Sequence, residues 1–145
     1  MLARLLTFLM ILALPLHAQE VEADDPLAEF LWTARPVIVF ADTPEDPRFL
    51  RQMEEFATAE RDLEERSLVL IVDTEGNEAL RERFRPRGFL MVLVDTDGTV
   101  EYRTRLPITM RELVRRVDNM TSREIELRAE RAARRDALEA LRRAE

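Results

Sequence analysis

The sequence predicts an α/β domain with a central sheet of about four strands flanked by helices. Three apolar runs have the length of buried strands, and segments with apolar residues every three or four positions separate them. Asp97-Gly98 then predicts a hairpin into a fourth strand. A strand–helix–strand opening requires a right-handed crossover and parallel pairing, whereas the hairpin pairs antiparallel. The predicted order is therefore β-α-β-α-β-β-α, followed by a C-terminal helical extension.

The first half of the domain supplies two strands and the helix that joins them. VIVFA (37–41) is a continuous apolar run and predicts a strand buried on both faces. A helix is expected over 46–66, where Asp46 can cap the first turn and Pro47 suits the first helical position. SLVLIVD (67–73) is the second buried-strand pattern. The lead-in before the first strand is expected to contact the core through Phe30 and Trp32.

The second half repeats this alternation and ends in the hairpin. TEGNEALRERF (74–84) predicts a turn and a short helix, and GFLMVLVD (88–95) predicts the third strand. TDGTVEYR (96–103) turns into the fourth strand, which alternates in polarity. TMRELVRRVDNM (109–120) is an amphipathic helix, because its apolar residues share one face. The whole unit is expected to occupy residues 30–120.

The first 18 residues are typical of a secretory signal peptide. Arg4 supplies the positive region, residues 5–16 form an uncharged apolar core, and cleavage is expected after Ala18. An uncleaved anchor is the weaker interpretation, because a spanning helix needs about 20 apolar residues. We therefore expect a periplasmic or secreted protein without a transmembrane segment after signal removal, beginning with a polar N-terminal arm over residues 19–29.

Residues 121–145 predict a charged C-terminal helix. Thr121 and Glu124 match a capping box, and Glu124/Arg128 is one of three pairs with an acid four residues ahead of a base. The apolar face is thin, which favours a solvated helix. The alternative is a helix that self-associates or contacts a partner through residues 122–145.

The residue types that are absent exclude several kinds of chemistry. The chain has no cysteine and no lysine, and its one histidine, His17, lies in the signal segment. Without the signal, the chain therefore has no thiol for disulfide exchange or Cys-His catalysis, no imidazole for a Ser-His-Asp triad and no lysine amine for a Schiff base. It also has no nitrogen or sulfur side-chain ligand for zinc or copper. Without the signal, 21 basic and 29 acidic residues give a formal charge of −8, which argues against a nucleic-acid surface. We expect no cofactor, no metal, no nucleic-acid partner and no enzymatic activity.

Motifs in the middle of the chain carry a resemblance to a known fold. FRPRGFLMVLVDTDGTV (84–100) resembles the thioredoxin stretch of aromatic-x-x-Arg-Gly-Ile-Pro-Thr, strand and glycine turn, in which Arg87 and Gly88 match. Leu90 stands where thioredoxins place a cis-proline. PEDP (44–47) falls at or close to the Cys-x-x-Cys position. The resemblance implies a thioredoxin-like single domain that lacks both the redox cysteines and the cis-proline.

Within that fold, the chain is similar to the family called domain of unknown function 4174. The motifs that carry this likeness lie in order along the chain: Trp32, RPVIVFA (35–41), DPR (46–48), ERDL (60–63) and LVDTDG (93–98). The resemblance implies small exported bacterial proteins, and similar domains are repeated in animal extracellular-matrix and sushi-repeat proteins. Since it implies no catalytic activity, the expected function is that of an exported non-catalytic binding domain.

The loop after the first strand is the candidate site. Asp42, Glu45, Asp46 and Arg48 lie at the carboxyl end of a central strand, where open α/β sheets bind ligands. Helix capping by Asp46 and stiffening by two prolines explain part of this composition without a ligand. No catalytic residue is assigned. The expected partner is an unidentified protein or a component of the cell envelope.

Two arginines ahead of the third strand complete the set of candidate binding residues. Arg85 and Arg87 can hold a carboxylate or phosphate, or they can balance the acidic loop. In a thioredoxin-like arrangement we expect one of them to approach Glu45 or Asp46. The alternative functions are a carboxylate-dependent hydrolase that uses Asp42, Glu45 or Asp46, and a structural envelope or scaffold protein that uses the C-terminal helix.

Overall fold

The computed structural model describes residues 25–144, so the expected signal peptide and residues 19–24 lie outside the described residues. A 3-10 turn at Ala28–Phe30 precedes four strands and five helices. In chain order these are β1 (Arg35–Phe40), α1 (Pro47–Ala57), α2 (Glu60–Glu65), β2 (Leu68–Asp73), α3 (Glu78–Phe84), β3 (Leu90–Val94), β4 (Val100–Thr104), α4 (Met110–Asp118) and α5 (Thr121–Ala144). This order confirms the predicted mixed α/β fold with its C-terminal helical extension.

The sheet has the strand order β2-β1-β3-β4. β1 is parallel to β2 and antiparallel to β3, and β3 and β4 form the antiparallel hairpin. The two central strands are buried along their whole length. β2 was expected to be buried as well, but it is an edge strand, and Val72 is 45% exposed.

Helices cover both faces of the sheet, which explains the continuous apolar runs of the central strands. On one face, Val37 and Val39 pack with residues of α1 and α4 such as Phe56 and Leu113. On the other face lie the alternate side chains of β1 and β3 together with α3 and the lead-in; this cluster comprises Leu27, Ile38, Phe40, Leu80, Phe84, Leu90, Val92 and Val94. Successive side chains of a strand point to opposite faces, so the central strands are apolar on both faces from Val37 and from Leu90 onward; Arg35, the first residue of β1, is charged and buried.

The helix predicted over 46–66 is divided into α1 and α2. Between them the Ala59 N–H bonds to the carbonyl of Phe56, three residues back, instead of four. Ala59 is only 4% exposed, so this tighter turn brings its methyl group into the core. The apolar spacing alone did not reveal the interruption, since Phe56 and Leu63 on either side of it both contact the same apolar cluster.

The lead-in to β1 differs from expectation at one residue. Phe30 packs partly against the apolar cluster under α3, but Trp32 is 77% exposed, so its expected core contact is wrong. The backbone of Trp32 is left-handed, with φ of 64°, and its N–H donates to the carbonyl of Thr96 at 2.6 Å. This hydrogen bond holds the turn against the β3–β4 hairpin and leaves the indole in solvent.

The C-terminal helix α5 contacts the domain through its first turns only. Arg123 is buried, whereas nearly every side chain beyond Leu127 is exposed to solvent, including Leu138 and Leu141. The Glu124–Arg128 and Glu139–Arg143 ion pairs form as the four-residue spacing predicts. Among the helices of residues 25–144, none combines the length and apolar character needed to cross a bilayer.

Candidate binding site at the carboxyl end of β1

The candidate site lies where β1 and β2 end and β3 begins. Phe40, the last residue of β1, pairs with Asp73 on one side and with Leu90 on the other. The loop of residues 42–48 therefore meets the turn after β2 and the segment that enters β3. Met91 pairs with Thr104, so the end of β4 also reaches this end of the sheet.

The 42–48 loop is closed by Asp46 and Arg48. The Asp46 carboxylate accepts a hydrogen bond from the Arg48 N–H at 2.8 Å, which confirms it as the cap of α1, and Pro47 is the first helical residue. The Arg48 guanidinium donates two further bonds to the same carboxylate, at 3.2 and 2.8 Å. These bonds lower the pKa of Asp46, the side-chain bond from Arg48 most of all. Asp46 is thus held as a carboxylate.

Gly88 provides the space that Arg48 occupies. Its φ of 65° is left-handed, and a Cβ placed on it would lie 3.3 Å from Nη2 of Arg48 and 3.8 Å from Oδ2 of Asp42. The guanidinium carbon of Arg48 lies 5.8 Å from the centroid of the Phe89 ring. A glycine before β3 therefore allows the loop and the strand to approach each other closely.

A second carboxylate–arginine pair fixes the ends of β1 and β2. Asp73 has a side chain only 3% exposed and accepts a bond from Arg81 Nε at 2.7 Å, as well as two from amides of the following turn. Burial acts to raise the pKa of Asp73, but the turn amides and Arg81 outweigh it and lower that pKa. Arg81 also donates to the Ala41 carbonyl at 2.8 Å and lies 3.8 Å from Asp42.

Arg85 or Arg87 was predicted to approach Glu45 or Asp46 of the loop, and this prediction is wrong. Within residues 25–144, neither forms an ion pair with Glu45 or Asp46, because the chain turns away at Arg85, which is left-handed with φ of 48°. The arginine that approaches the loop is Arg81, one helical turn earlier. Arg85 and Arg87 instead line a separate groove. A ligand-binding role for Asp42, Glu45, Asp46, Arg48, Arg85 and Arg87 stays a prediction.

The opposite end of the sheet holds a buried charge network that no sequence pattern predicted. Arg35 is fully buried at the start of β1 and bonds Asp95 at 2.9 Å, Glu126 at 2.6 Å and Ser122 at 2.9 Å. The network links the sheet to the first turns of α5. Partial burial acts to raise the pKa of Glu126, but the bonds from Arg35 and Arg123 lower it. The one sequence signal was a charged residue directly preceding an apolar strand.

Beside this network lies a cavity of about 660 Å³ between the hairpin turn and α5. Trp32 and Ile125 line it, and both are largely exposed. On its polar side, the Arg116 guanidinium lies 3.7 Å from the centroid of the Tyr102 ring. Asp97, which also lines the cavity, accepts a bond from the Thr99 N–H in the glycine turn. In the sequence these residues belong to the lead-in, the hairpin and two different helices, and no local pattern indicates that they meet.

Comparison with known proteins supports the fold. A family model described as "Domain of unknown function (DUF4174)" matches residues 26–126. No curated protein matches the chain. Among solved structures, reduced 2-Cys peroxiredoxin of Plasmodium vivax matches with a TM-score of 0.50 and 13% identity over 68% of this chain and 83% of that one. The mitochondrial 2-Cys peroxiredoxin of Plasmodium falciparum matches with a TM-score of 0.47 and 12% identity over 63% and 78%.

At such identities a likeness shows the fold alone. The match to the P. vivax chain, together with the strand order and the family model, confirms the thioredoxin-like fold expected from the sequence. Because this chain has no cysteine, it lacks the group on which peroxiredoxin-like redox chemistry would depend.

Proposed function

The chain belongs to the DUF4174 family of domains of unknown function, and we propose that it is an exported, non-catalytic domain that acts by binding a protein or another component of the cell envelope. The absence of cysteine from a thioredoxin-like fold supports a role other than thiol chemistry. The apolar run after Arg4 and the small residue at Ala18 support export. In this proposal the 42–48 loop is the contact surface.

The observation that carries the proposal is the arrangement of charges where thioredoxins keep their redox pair. Arg48 donates hydrogen bonds to Asp46, and Arg81 donates one to Asp73. These bonds hold both carboxylates in one orientation. The Asp73–Arg81 pair is the less exposed of the two, whereas water screens the Asp46–Arg48 pair and weakens its contribution to stability. A preorganised loop loses little entropy when a partner docks, which favours recognition.

The hydrolase alternative is less well supported by the same carboxylates. A hydrolase of this type needs one carboxylic acid that keeps its proton near neutral pH, usually in an apolar pocket. The pKa of Asp46 and that of Asp73 are both lowered, which is the opposite shift. Asp42 and Glu45 are exposed to solvent, outside any such pocket. Asp46 and Asp73, whose pKa values are lowered, therefore suit the role of charged acceptors better than that of a proton donor.

An affinity capture with matched variants tests the contact surface. Asp42→Asn with Glu45→Gln removes the two exposed negative charges of the loop and leaves the Asp46 cap intact. Glu54→Gln with Glu60→Gln removes the same charge from exposed positions that make no ion pair within residues 25–144. We expect components captured from an envelope fraction by the wild-type chain and by the control to be lost with the loop variant. Equal capture by all three proteins would exclude the loop as the contact surface.

Cell fractionation tests export separately. A chain tagged at its C-terminus is expected in the periplasmic or secreted fraction, shortened by the residues up to Ala18. Deleting residues 5–16 is expected to retain it in the cytoplasm. A wild-type chain that keeps its N-terminal residues and stays in the cytoplasm would contradict the proposed location while leaving the binding test unaffected.

A further inference from the structure

Four arginines from two separate segments line one groove beside the 42–48 loop. Arg85 and Arg87 come from the connection between α3 and β3, Arg103 from β4, and Arg105 from the position directly after β4. The pairing of Met91 with Thr104 brings the two segments together at one end of the sheet. Leu90 and Thr104 complete the wall of the groove, which encloses about 210 Å³.

The positive charge of this groove is not neutralised within residues 25–144. None of its four arginines forms an ion pair there, although the chain has a formal net charge of −7. By contrast, Arg48 and Arg81 in the same region each pair with an aspartate. Like charges that converge in a concave surface repel one another, and an anion that binds between them removes that repulsion.

Contacts with the backbone hold part of the groove in place. The guanidinium of Arg103 donates to the carbonyl of Phe84, the last residue of α3. Arg85 caps the same helix in a left-handed conformation, and its N–H bonds to the Arg81 carbonyl at 2.8 Å. A cation bonded to the carbonyl end of a helix is favourably placed, so Arg103 is oriented before any ligand arrives.

We propose that this groove binds a phosphate or sulfate group of a soluble ligand. Guanidinium groups bind such oxyanions through paired N–H donors, and a tetrahedral oxyanion offers more acceptor oxygens to four arginines than a carboxylate does. The volume is below the range of about 300–1,000 Å³ typical of small-molecule sites, so the groove holds one group of a larger ligand. The net negative charge of the protein opposes docking on an anionic bilayer.

This inference goes beyond the proposed function, because it assigns a ligand class and adds Arg103 and Arg105 to the candidate residues. It does not depend on the 42–48 loop. The loop variant Asp42→Asn with Glu45→Gln, which removes negative charge near the groove, is therefore expected to bind the oxyanion at least as tightly as the wild-type chain, whatever its effect on envelope capture. The two proposals consequently succeed or fail separately.

Calorimetric titration with inorganic pyrophosphate tests the groove. Arg87→Gln with Arg105→Gln removes two of its charges and keeps the Arg103 bond to the backbone. The control is Arg111→Gln with Arg115→Gln, which removes the same charge from exposed positions on α4 that make no ion pair within residues 25–144. We expect at least about a tenfold loss of affinity in the groove variant and less than about twofold in the control.

Two further arms define the ligand. Sulfate is expected to compete with pyrophosphate, and acetate is not; equal competition by acetate would overturn the assignment to a tetrahedral oxyanion. Vesicles containing phosphatidylglycerol are expected not to bind the protein, and groove-dependent binding to them would overturn the assignment to a soluble ligand. Equal loss of affinity in groove variant and control, or no binding of pyrophosphate by the wild-type chain, would overturn the site itself. Thermal unfolding of each variant confirms that it is folded.

Discussion

The substitution Arg35→Met is expected to be the most destabilising single change at the buried charge network. Arg35 has no solvent exposure and bonds Asp95, Ser122 and Glu126. Methionine fills most of the same volume, so the substitution removes the charge without opening a large cavity. What it leaves behind is the carboxylate of Asp95, which is only 8% exposed and has lost its cation.

The cost follows from that unpaired charge. Removing one partner of a buried ion pair costs about 3–5 kcal/mol, against a total stability of about 5–15 kcal/mol for a domain. For a chain of this size each kcal/mol lowers the melting temperature by about 4 °C, so the expected drop is about 12–20 °C. Urea unfolding followed by far-ultraviolet circular dichroism measures the same loss isothermally.

Two controls make this prediction specific. Arg61→Met removes an arginine whose side chain is 90% exposed and which pairs with Glu65, and it is expected to leave the unfolding midpoint almost unchanged. Arg35→Met combined with Asp95→Asn removes the orphaned charge and is expected to recover part of the loss. If Arg35→Met were no more destabilising than Arg61→Met, the buried ion pair would not contribute to folding as we reason.

Three other changes test the remaining features. Gly88→Ala is expected to destabilise the fold by about 1–2 kcal/mol of left-handed strain plus the cost of displacing Arg48. Gly76 is also left-handed but has open space around it, so Gly76→Ala should cost the strain alone. Urea unfolding compares the two variants, and equal costs would contradict the close approach of Arg48 to Gly88. Because the pKa of Asp73 is lowered on folding, its carboxylate stabilises the protein above its unfolded pKa of about 3.9, and this stability is lost as pH falls through the folded pKa. Asp73→Asn should therefore lower the free energy of unfolding at neutral pH and flatten its decline below about pH 5. An unchanged slope of that free energy against pH would refute this. Truncation after Leu127 keeps the contacts of α5 with Arg35 and should leave the melting temperature unchanged. A drop in melting temperature comparable with that of Arg35→Met would show that the distal helix packs on the domain. Light scattering before and after truncation tests self-association through α5.

The sequence patterns predicted the interior better than the surface for a physical reason. β1 and β3 are buried on both faces, so from Val37 and from Leu90 onward their residues are apolar and the pattern is continuous; Arg35, at the start of β1, is the exception. Asp46 and Pro47 were predictable because helix capping is local. A buried strand and a helix cap each involve residues only a few positions apart in the sequence. Their patterns can therefore be interpreted without knowing the rest of the fold.

The features that were missed depend on distant residues or on one backbone angle. Asp95 and Glu126 are 60 and 91 positions from Arg35, so nothing near Arg35 indicates its partners. Arg81 reaches the loop in place of Arg85 because helix α3 ends between them and the chain changes direction. An apolar side chain was assumed to be buried at Trp32, but the left-handed turn there places it in solvent.

The exposure of Trp32 makes the protein its own optical reporter. It is the only tryptophan of the chain, and it lies at the cavity beside α5, at the opposite end of the sheet from the 42–48 loop. An indole already in water changes its emission little when the fold is lost, so tryptophan fluorescence will be a poor measure of unfolding. The same property gives a steady emission from one position. A molecule that enters the cavity would shift or quench this emission, without a label and without interference from events at the loop.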